Sequence, residues 1–318
     1  MERLGPPLEE PIFDTLTVVG VGLIGSSIIR AAKARKAARR FVLAGRSQAT
    51  LDRAMELGLG DHATRDLAEA VRGADCVILC APVGANEAIG RAIAPALKRG
   101  AIVSDVGSVK GAVVAALAPS MPPHAHLVPA HPVAGTEQSG PDAGFASLFV
   151  RRWCILTPDA KTDLGALAKM RAFWEALGSN VETMSPEHHD LVLAITSHLP
   201  HLIAYNTVGT ASDLEEHLRS EVLKFSAGGF RDFTRIAASD PTMWRGVFLT
   251  NRDAVLEMLR RFNADLQSLQ TMIEQGDGPG LFDRFTRTRN IRRGIVDLGQ
   301  ETAAPDFGRR AMADGDGR

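Results

Sequence analysis

Cysteine is scarce in this chain. Three occur in 318 residues, Cys76, Cys80 and Cys154, an odd and scattered set without C-x-x-C spacing. That excludes a disulfide framework and suits reduced thiols in a cytoplasmic protein. Cys80 closes the run Cys76-Val77-Ile78-Leu79-Cys80 and is expected to be a buried strand residue. Aromatic residues are few, at 5%. Blocks of like charge are missing, and 36 basic against 37 acidic residues leave a net charge of −1. The densest basic stretch, Arg35 to Arg40, falls where a first helix should end, and cations there suit the helix dipole. A nucleic-acid or membrane-surface partner is therefore not expected. Long apolar runs are absent too: the longest, Val18 to Ile29, is too short for a bilayer and is broken by glycines. The start, Met1 to Pro7, has no apolar signal core.

What is present is an alternation of short β-branched runs with helical stretches. Leu16-Thr17-Val18-Val19 reads as a buried strand, and Ser26 to Ala34 as a helix. Between them lies Gly20-Val21-Gly22-Leu23-Ile24-Gly25, the G-x-G-x-x-G dinucleotide fingerprint in its strand-to-helix context. Gly20 permits the tight turn, Gly22 the approach of a pyrophosphate, and Gly25 close packing of helix on strand. The first helical turn, with Leu23 and Ile24, offers N–H groups to phosphates. Further strands are expected at Val42–Ala44, Val77–Ala81, Ile102–Ser104, Leu127–Ala130 and Cys154–Thr157, with helices at Thr50–Leu57, Glu87–Leu97 and Ala112–Leu117. Such alternation implies a doubly wound α/β Rossmann domain with a parallel sheet.

Strand signals stop near Val181. Glu187 to Thr210 reads as one long helix kinked at Pro200. Pro241 to Glu274 reads as another, capped by Ser239 or Asp240, with Pro241 at its first position. In it Val255, Leu259, Phe262, Leu266, Leu269 and Ile273 form an apolar stripe. The expected layout is a disordered 1–11, a dinucleotide-binding domain over 12–184, an all-α substrate and dimerisation domain over 185–300, and a disordered tail over 301–318. A homodimer through the helical domain is expected.

Ligands of open α/β sheets bind beyond the carboxyl ends of the strands, and three such ends carry unusual residues. Ala81-Pro82-Val83 forms a stiff turn suited to a cofactor wall. Asp105-Val106-Gly107-Ser108-Val109-Lys110 puts a glycine and a hydroxyl in a strand-to-helix loop. His131 ends the strand over Leu127–Ala130 and precedes Pro132-Val133-Ala134-Gly135-Thr136-Glu137. If all three belong to one sheet, Ser108 and His131 face the cofactor's reactive end. Oxidising an alcohol carbon needs a group that takes the hydroxyl proton, and imidazole suits that work near neutral pH. Ser108 would donate to the same hydroxyl or fix the imidazole. Farther on, Ser197-His198-Leu199-Pro200-His201 sets two imidazoles near one helix face, with no H-E-x-x-H or cysteine beside them, so no metal is expected. Gly228 to Arg235, followed by Asp240 to Arg245, offers arginine forks for carboxylates and an Asp232–arginine pair.

These motifs, in this order from about Thr15 to Gly299, resemble the prephenate/arogenate (cyclohexadienyl) dehydrogenase family of tyrosine biosynthesis. The resemblance implies a Rossmann domain followed by a helical dimerisation domain, and an oxidative decarboxylation. Hydride leaves the ring C4 for a nicotinamide, the ring carboxylate departs as CO2, and the ring becomes aromatic. It implies that His131 draws the C4 hydroxyl proton, supported by Ser108. It assigns a substrate carboxylate to Arg235 and the substrate side chain to His201. His198, Thr136, Glu137, Asp232 and Trp244 are grouped around the same pocket.

An NAD site carries a carboxylate about twenty residues beyond the fingerprint. Here that place reads Ala44-Gly45-Arg46-Ser47-Gln48. A cation and a hydroxyl suit a 2′-phosphate, so NADP is expected over NAD. The alternatives are a β-hydroxyacid dehydrogenase, which needs a catalytic lysine in the helical domain, and a non-catalytic NADP-sensing regulator.

Overall fold

The computed structural model describes residues 4–136, 138–213, 221, 224 and 228–297. Six strands form a parallel sheet: β1 (Phe13–Val19), β2 (Ala38–Ala44), β3 (His62–Thr64), β4 (Cys76–Leu79), β5 (Ile102–Asp105) and β6 (His126–Leu127). Their order is β3-β2-β1-β4-β5-β6, the doubly wound arrangement expected of a Rossmann domain. Helices α1 (Leu23–Arg35), α2 (Gln48–Glu56), α3 (Leu67–Val71), α4 (Asn86–Ile93) and α5 (Lys110–Leu117) fill the crossovers.

Both sheet faces are covered, so the central strands β4 and β5 are buried at successive positions rather than at alternate ones. Leu16, Val18, Cys76 and Ile78 face a core with Ile28, Phe149, Phe173 and Trp174. Val19, Val77, Leu79 and Val103 face a second core with Val71, Ile93, Val113 and Leu117.

The strand expected over Leu127–Ala130 is in fact two. Val128 and Pro129 break it, because proline brings no N–H to a ladder. β6 ends the large sheet, and β7 (Ala130–Pro132) starts a second one with β8 (Trp153–Leu156) and β9 (Asn180–Thr183). In it β7 runs antiparallel to β8, and β8 parallel to β9. His131 is thus the middle residue of a short strand in another sheet, opposite Ile155. Helix α6 (Leu164–Ala176) packs Met170, Phe173 and Trp174 into the first core together with Cys154 and Leu156 of β8.

The remaining elements are helical: α7 (Pro186–Leu193), a π turn over Ala194–His198, α8 (Leu199–Ser212), α9 (Gly228–Thr234), α10 (Pro241–Thr250), α11 (Arg252–Glu274) and α12 (Gly278–Asp297). Pro200 does not simply kink one helix. A π turn precedes it and absorbs the hydrogen bond that proline cannot make. The helix expected from Pro241 to Glu274 breaks at Asn251, whose side chain serves elsewhere. Asp240 is the cap, accepting the N–H of Thr242, with Pro241 just inside.

Two smaller expectations change. Arg39 and Arg40 lie in β2 rather than at a helix end, and Arg39 pairs with Asp14. Residues 4–11 are irregular yet anchored: Leu4 and Leu8 pack on the first core, and the Leu8 N–H donates to the Arg35 carbonyl. The tail over 301–318 lies outside the described residues. The described residues form two compact units, divided after Val255. Among the described residues, no helix is long and apolar enough to cross a membrane.

Candidate active site

The glycine loop behaves as its spacing requires. Gly20 has φ +98°, and a Cβ there would lie 2.5 Å from the Cys80 carbonyl oxygen. A Cβ on Gly25 would lie 2.1 Å from the Gly20 carbonyl oxygen, so neither position accepts a side chain. Gly22, by contrast, faces open space. No side chain caps α1 at Gly22, and its first turn carries no acid, so its N–H groups remain for an anion. Leu23 is buried in the core, which leaves it, like Ile24, a backbone role in that turn.

A cleft of about 450 Å³ opens beside the loop, lined by Gly20, Val21, Gly22, Gly45, Arg46, Ser47, Thr50, Leu51 and Gly140. The open glycine face and uncapped helix fit a dinucleotide's pyrophosphate. Arg46 and Ser47, between β2 and α2, fit the far end of the same group. The Ser47 hydroxyl also caps α2 by accepting the Thr50 N–H, at 3.3 Å. Ala81, Pro82 and Val83 are not part of this cleft. They follow β4 beside Gly20, and the turn over Val83–Ala85 touches α10.

The loop after β5 joins the two sheets. Lys110, fully buried, pairs with Asp105 and donates to the Ala130 carbonyl at 2.6 Å. Asp105 accepts the Ala130 N–H at 3.2 Å and the Gly107 N–H at 2.7 Å. Burial pulls the Lys110 ammonium down from its ordinary range, and Asp105 opposes this. A buried ammonium needs such a partner. Both backbone groups of the residue before His131 are thereby fixed, which ties the loop after β5 to β7 although β5 and β7 belong to different sheets.

His131 is buried, and its Nδ1 lies 2.8 Å from Nε2 of His189. The two rings meet edge to face, with centroids 5.0 Å apart. His189 Nδ1 lies 2.8 Å from Asp190 Oδ1. Asp190 in turn accepts the N–H groups of Lys110 at 2.7 Å and Gly111 at 2.8 Å, where α7 lies on the start of α5. Burial holds His131 well below the usual imidazole range, and the charges of His189, Lys110 and His198 push the same way. Burial also lowers His189, but Asp190 pulls it back up. Among the described residues, no hydrogen bond joins Ser108 to His131; the ring is held by His189. Ser108 stays half-buried in its loop.

The two imidazoles of the Ser197–His201 motif part company. His201 is half-buried, donates from Nδ1 to the Ser197 carbonyl at 2.8 Å, and stacks on Trp244 with centroids 3.6 Å apart. Burial and the charge of Arg235 lower its pKa, so Arg235 lies near it. His198 is fully buried behind Trp244 and accepts the Asn251 amide at 3.0 Å. Burial lowers it to about 4. That environment keeps the His198 ring neutral and out of solvent, with its Nε2 unbonded among the described residues. Trp244 packs with Val109 and Val247, which brings the Ser108 loop to α10. Asp232 and Arg235 are exposed on α9 and the turn after it. Thr136 is exposed and accepts the Gln138 N–H at 3.2 Å. Glu137 lies outside the described residues. Among the described residues, no cluster of three metal-ligating groups occurs.

Sequence reasoning named the stretch from Asp105 to Lys110 without giving those two residues a role, and it missed His189, Asp190 and Asn251. A signal existed for two of them: Pro186-Glu187-His188-His189-Asp190 places an imidazole beside a carboxylate at a helix start.

Two family models match in succession. Residues 28–183 match the nucleotide-binding domain of prephenate dehydrogenase, and residues 185–287 its dimerization domain. A cyclohexadienyl dehydrogenase of Zymomonas mobilis is 47% identical over 281 residues, covering 88% of this chain and 96% of the relative. A prephenate dehydrogenase of Bacillus subtilis is 34% identical over 295 residues, covering 92% and 79%. The crystal structure of prephenate dehydrogenase from Aquifex aeolicus in complex with hydroxyphenyl propionate and NAD+ superposes with TM-score 0.83 at 32% identity, covering 91% and 99%.

Proposed function

The chain belongs to the prephenate dehydrogenase family, and from that premise we propose how this site performs the family's reaction. It oxidatively decarboxylates prephenate, arogenate or both, giving 4-hydroxyphenylpyruvate or tyrosine and CO2. The dinucleotide, when bound, supplies the nicotinamide that accepts hydride. Every other part of the step falls to the protein. His131 takes the C4 hydroxyl proton at Nε2, since Nδ1 is already engaged by His189. Ser108 donates to the same hydroxyl. Arg235 grips a substrate carboxylate, and His201, fixed flat on Trp244, meets the substrate side chain. A dianionic substrate needs such cations, and because aromatisation drives the reaction, orientation and one proton transfer suffice.

The observation that carries this reading is the buried His131, locked by one ring nitrogen beside the Ser108 loop. Arg46 and Ser47, with no acid at the end of β2, support NADP over NAD. The match of residues 185–287 to a dimerization domain supports a homodimer. Three free cysteines fit a cytoplasmic setting.

The test is nicotinamide reduction by the purified protein with prephenate and with arogenate, alongside His131→Asn. Turnover of at least one substrate is expected, lost by about 10²-fold or more in the variant while cofactor binding persists. Inactivity with both substrates, or an active His131→Asn, would overturn it.

A further inference from the structure

We propose that His189 and Asp190 are positioning residues of this reaction, and that His189 is where the proton taken from the substrate hydroxyl comes to rest. The inference depends on His131 being the base.

Hydrogen-bond logic assigns every proton in the chain. Asp190 is held by two backbone donors, Lys110 N–H on Oδ1 and Gly111 N–H on Oδ2. As a carboxylate it has only acceptors to offer, so the short contact to His189 Nδ1 requires that nitrogen to carry the hydrogen. Neutral His189 then presents a bare Nε2. The contact of that atom with His131 Nδ1 requires the hydrogen to sit on His131. His131 is left with a lone pair on Nε2, the form a base needs. Reversing either tautomer would set two hydrogens, or two lone pairs, against each other. The backbone of this device is anchored as well, because the Asp190 carbonyl accepts the Asn251 amide at 2.8 Å.

The same chain moves a proton. When the substrate O–H breaks, the new bond is Nε2–H on His131. The Nδ1–H bond of His131 then breaks as Nε2–H forms on His189. The cation ends one ring deeper, in contact with the Asp190 carboxylate, and no other reactant is consumed. The charges around the two rings favour that destination. His131 faces the ammonium of Lys110 in α5, which opposes a positive charge, and the neutral rings of His189 in α7 and His198 in the π turn, with no carboxylate of the described residues among the charges that act on it. His189 faces Asp190 of α7 and Asp105 of β5, which favour one, with Lys110 opposing. The two rings therefore titrate as a unit, and protonation of that unit is what switches off the base.

The pH profile of kcat decides the matter. His189→Gln offers an acceptor to His131 but no second basic nitrogen, and it leaves the bonds of Asp190 to α5 in place. Its kcat should fall by about 10- to 100-fold with an unchanged KM, and the acid limb of its profile should move to lower pH, because only the less basic ring remains. His189→Leu, which lacks the acceptor too, should lose more, so glutamine is a partial rescue. Asp190→Asn removes the counter-charge and should move the acid limb down by about one to three units. Should Asp190→Asn fail to fold, as judged by cofactor binding, His189→Gln decides alone. An acid limb in His189→Gln that coincides with the parent's would overturn the relay. If His131→Asn is inactive at the same time, the base survives and only the relay falls. An active His131→Asn would end both.

Discussion

Arg46 stands where an NAD enzyme would carry an acid, at the mouth of the glycine-loop cleft. If it reads the 2′-phosphate, Arg46→Asp should raise KM for NADP by about 10- to 100-fold, the worth of a charge-assisted hydrogen bond, and leave NAD turnover little changed. Steady-state kinetics with both cofactors checks this. The glycines of the cofactor loop were legible in the sequence. Gly20 and Gly25 have no room for a Cβ, and that shortage of space is what the fingerprint spacing encodes. His131 stood out from the strand pattern, although it lies in the middle of β7 rather than at the end of the strand expected over Leu127–Ala130. Its partner did not. His189 lies 58 residues away on a helix whose pattern announces only its own start. A hydrogen bond between distant side chains leaves no periodicity to read. His198 misled for a related reason: spacing placed it beside His201, whereas burial placed it behind Trp244.

Among the elements, breaks were harder to read than runs. The apolar strands β1, β4 and β5 stood out because they are buried on both faces, and α10 because Asp240 and Pro241 mark its start. Continuity misled at two places. Pro129 parts β6 from β7. Asn251 parts α10 from α11 and turns its amide inward, bonding both the Asp190 carbonyl and His198 Nδ1. Removing that amide strands two buried acceptors. Asn251→Ala should therefore cost about 2 kcal/mol or more, read as a lower urea midpoint with an unchanged slope. Because the same amide steadies Asp190, kcat should fall further than the lost stability alone would require.

For the whole molecule, two expectations follow. The unit from Leu256 leaves Leu266 and Ile273 of α11 exposed on one face, seven residues apart, and Phe282, Phe285 and Ile291 of α12 exposed as well. If these cover a second copy, Leu266→Glu with Ile273→Glu should shift the mass in light scattering from dimer to monomer. Acid sensitivity is the second. His131, His189, His198 and His201 all have folded pKa values below the unfolded value of about 6.5. Below that pH the unfolded chain binds more protons. Stability should be complete above about pH 7 and fall as pH drops from 6.5 toward the value of about 4 at His198. The slope is about 1.4 kcal/mol per unit for each histidine that must charge. Urea midpoints measured across this range check it; a midpoint that rises on acidification would contradict it.

The Lys110–Asp105 pair, which holds Ala130 from both sides, bears on how the enzyme comes into being and fails. A chain with its large sheet formed but the catalytic strand adrift would keep a charge in the interior without its full set of partners, a costly state. A form with the large sheet built and β7 displaced should therefore be sparsely populated, so activity and sheet content should be lost together as urea unfolds the chain.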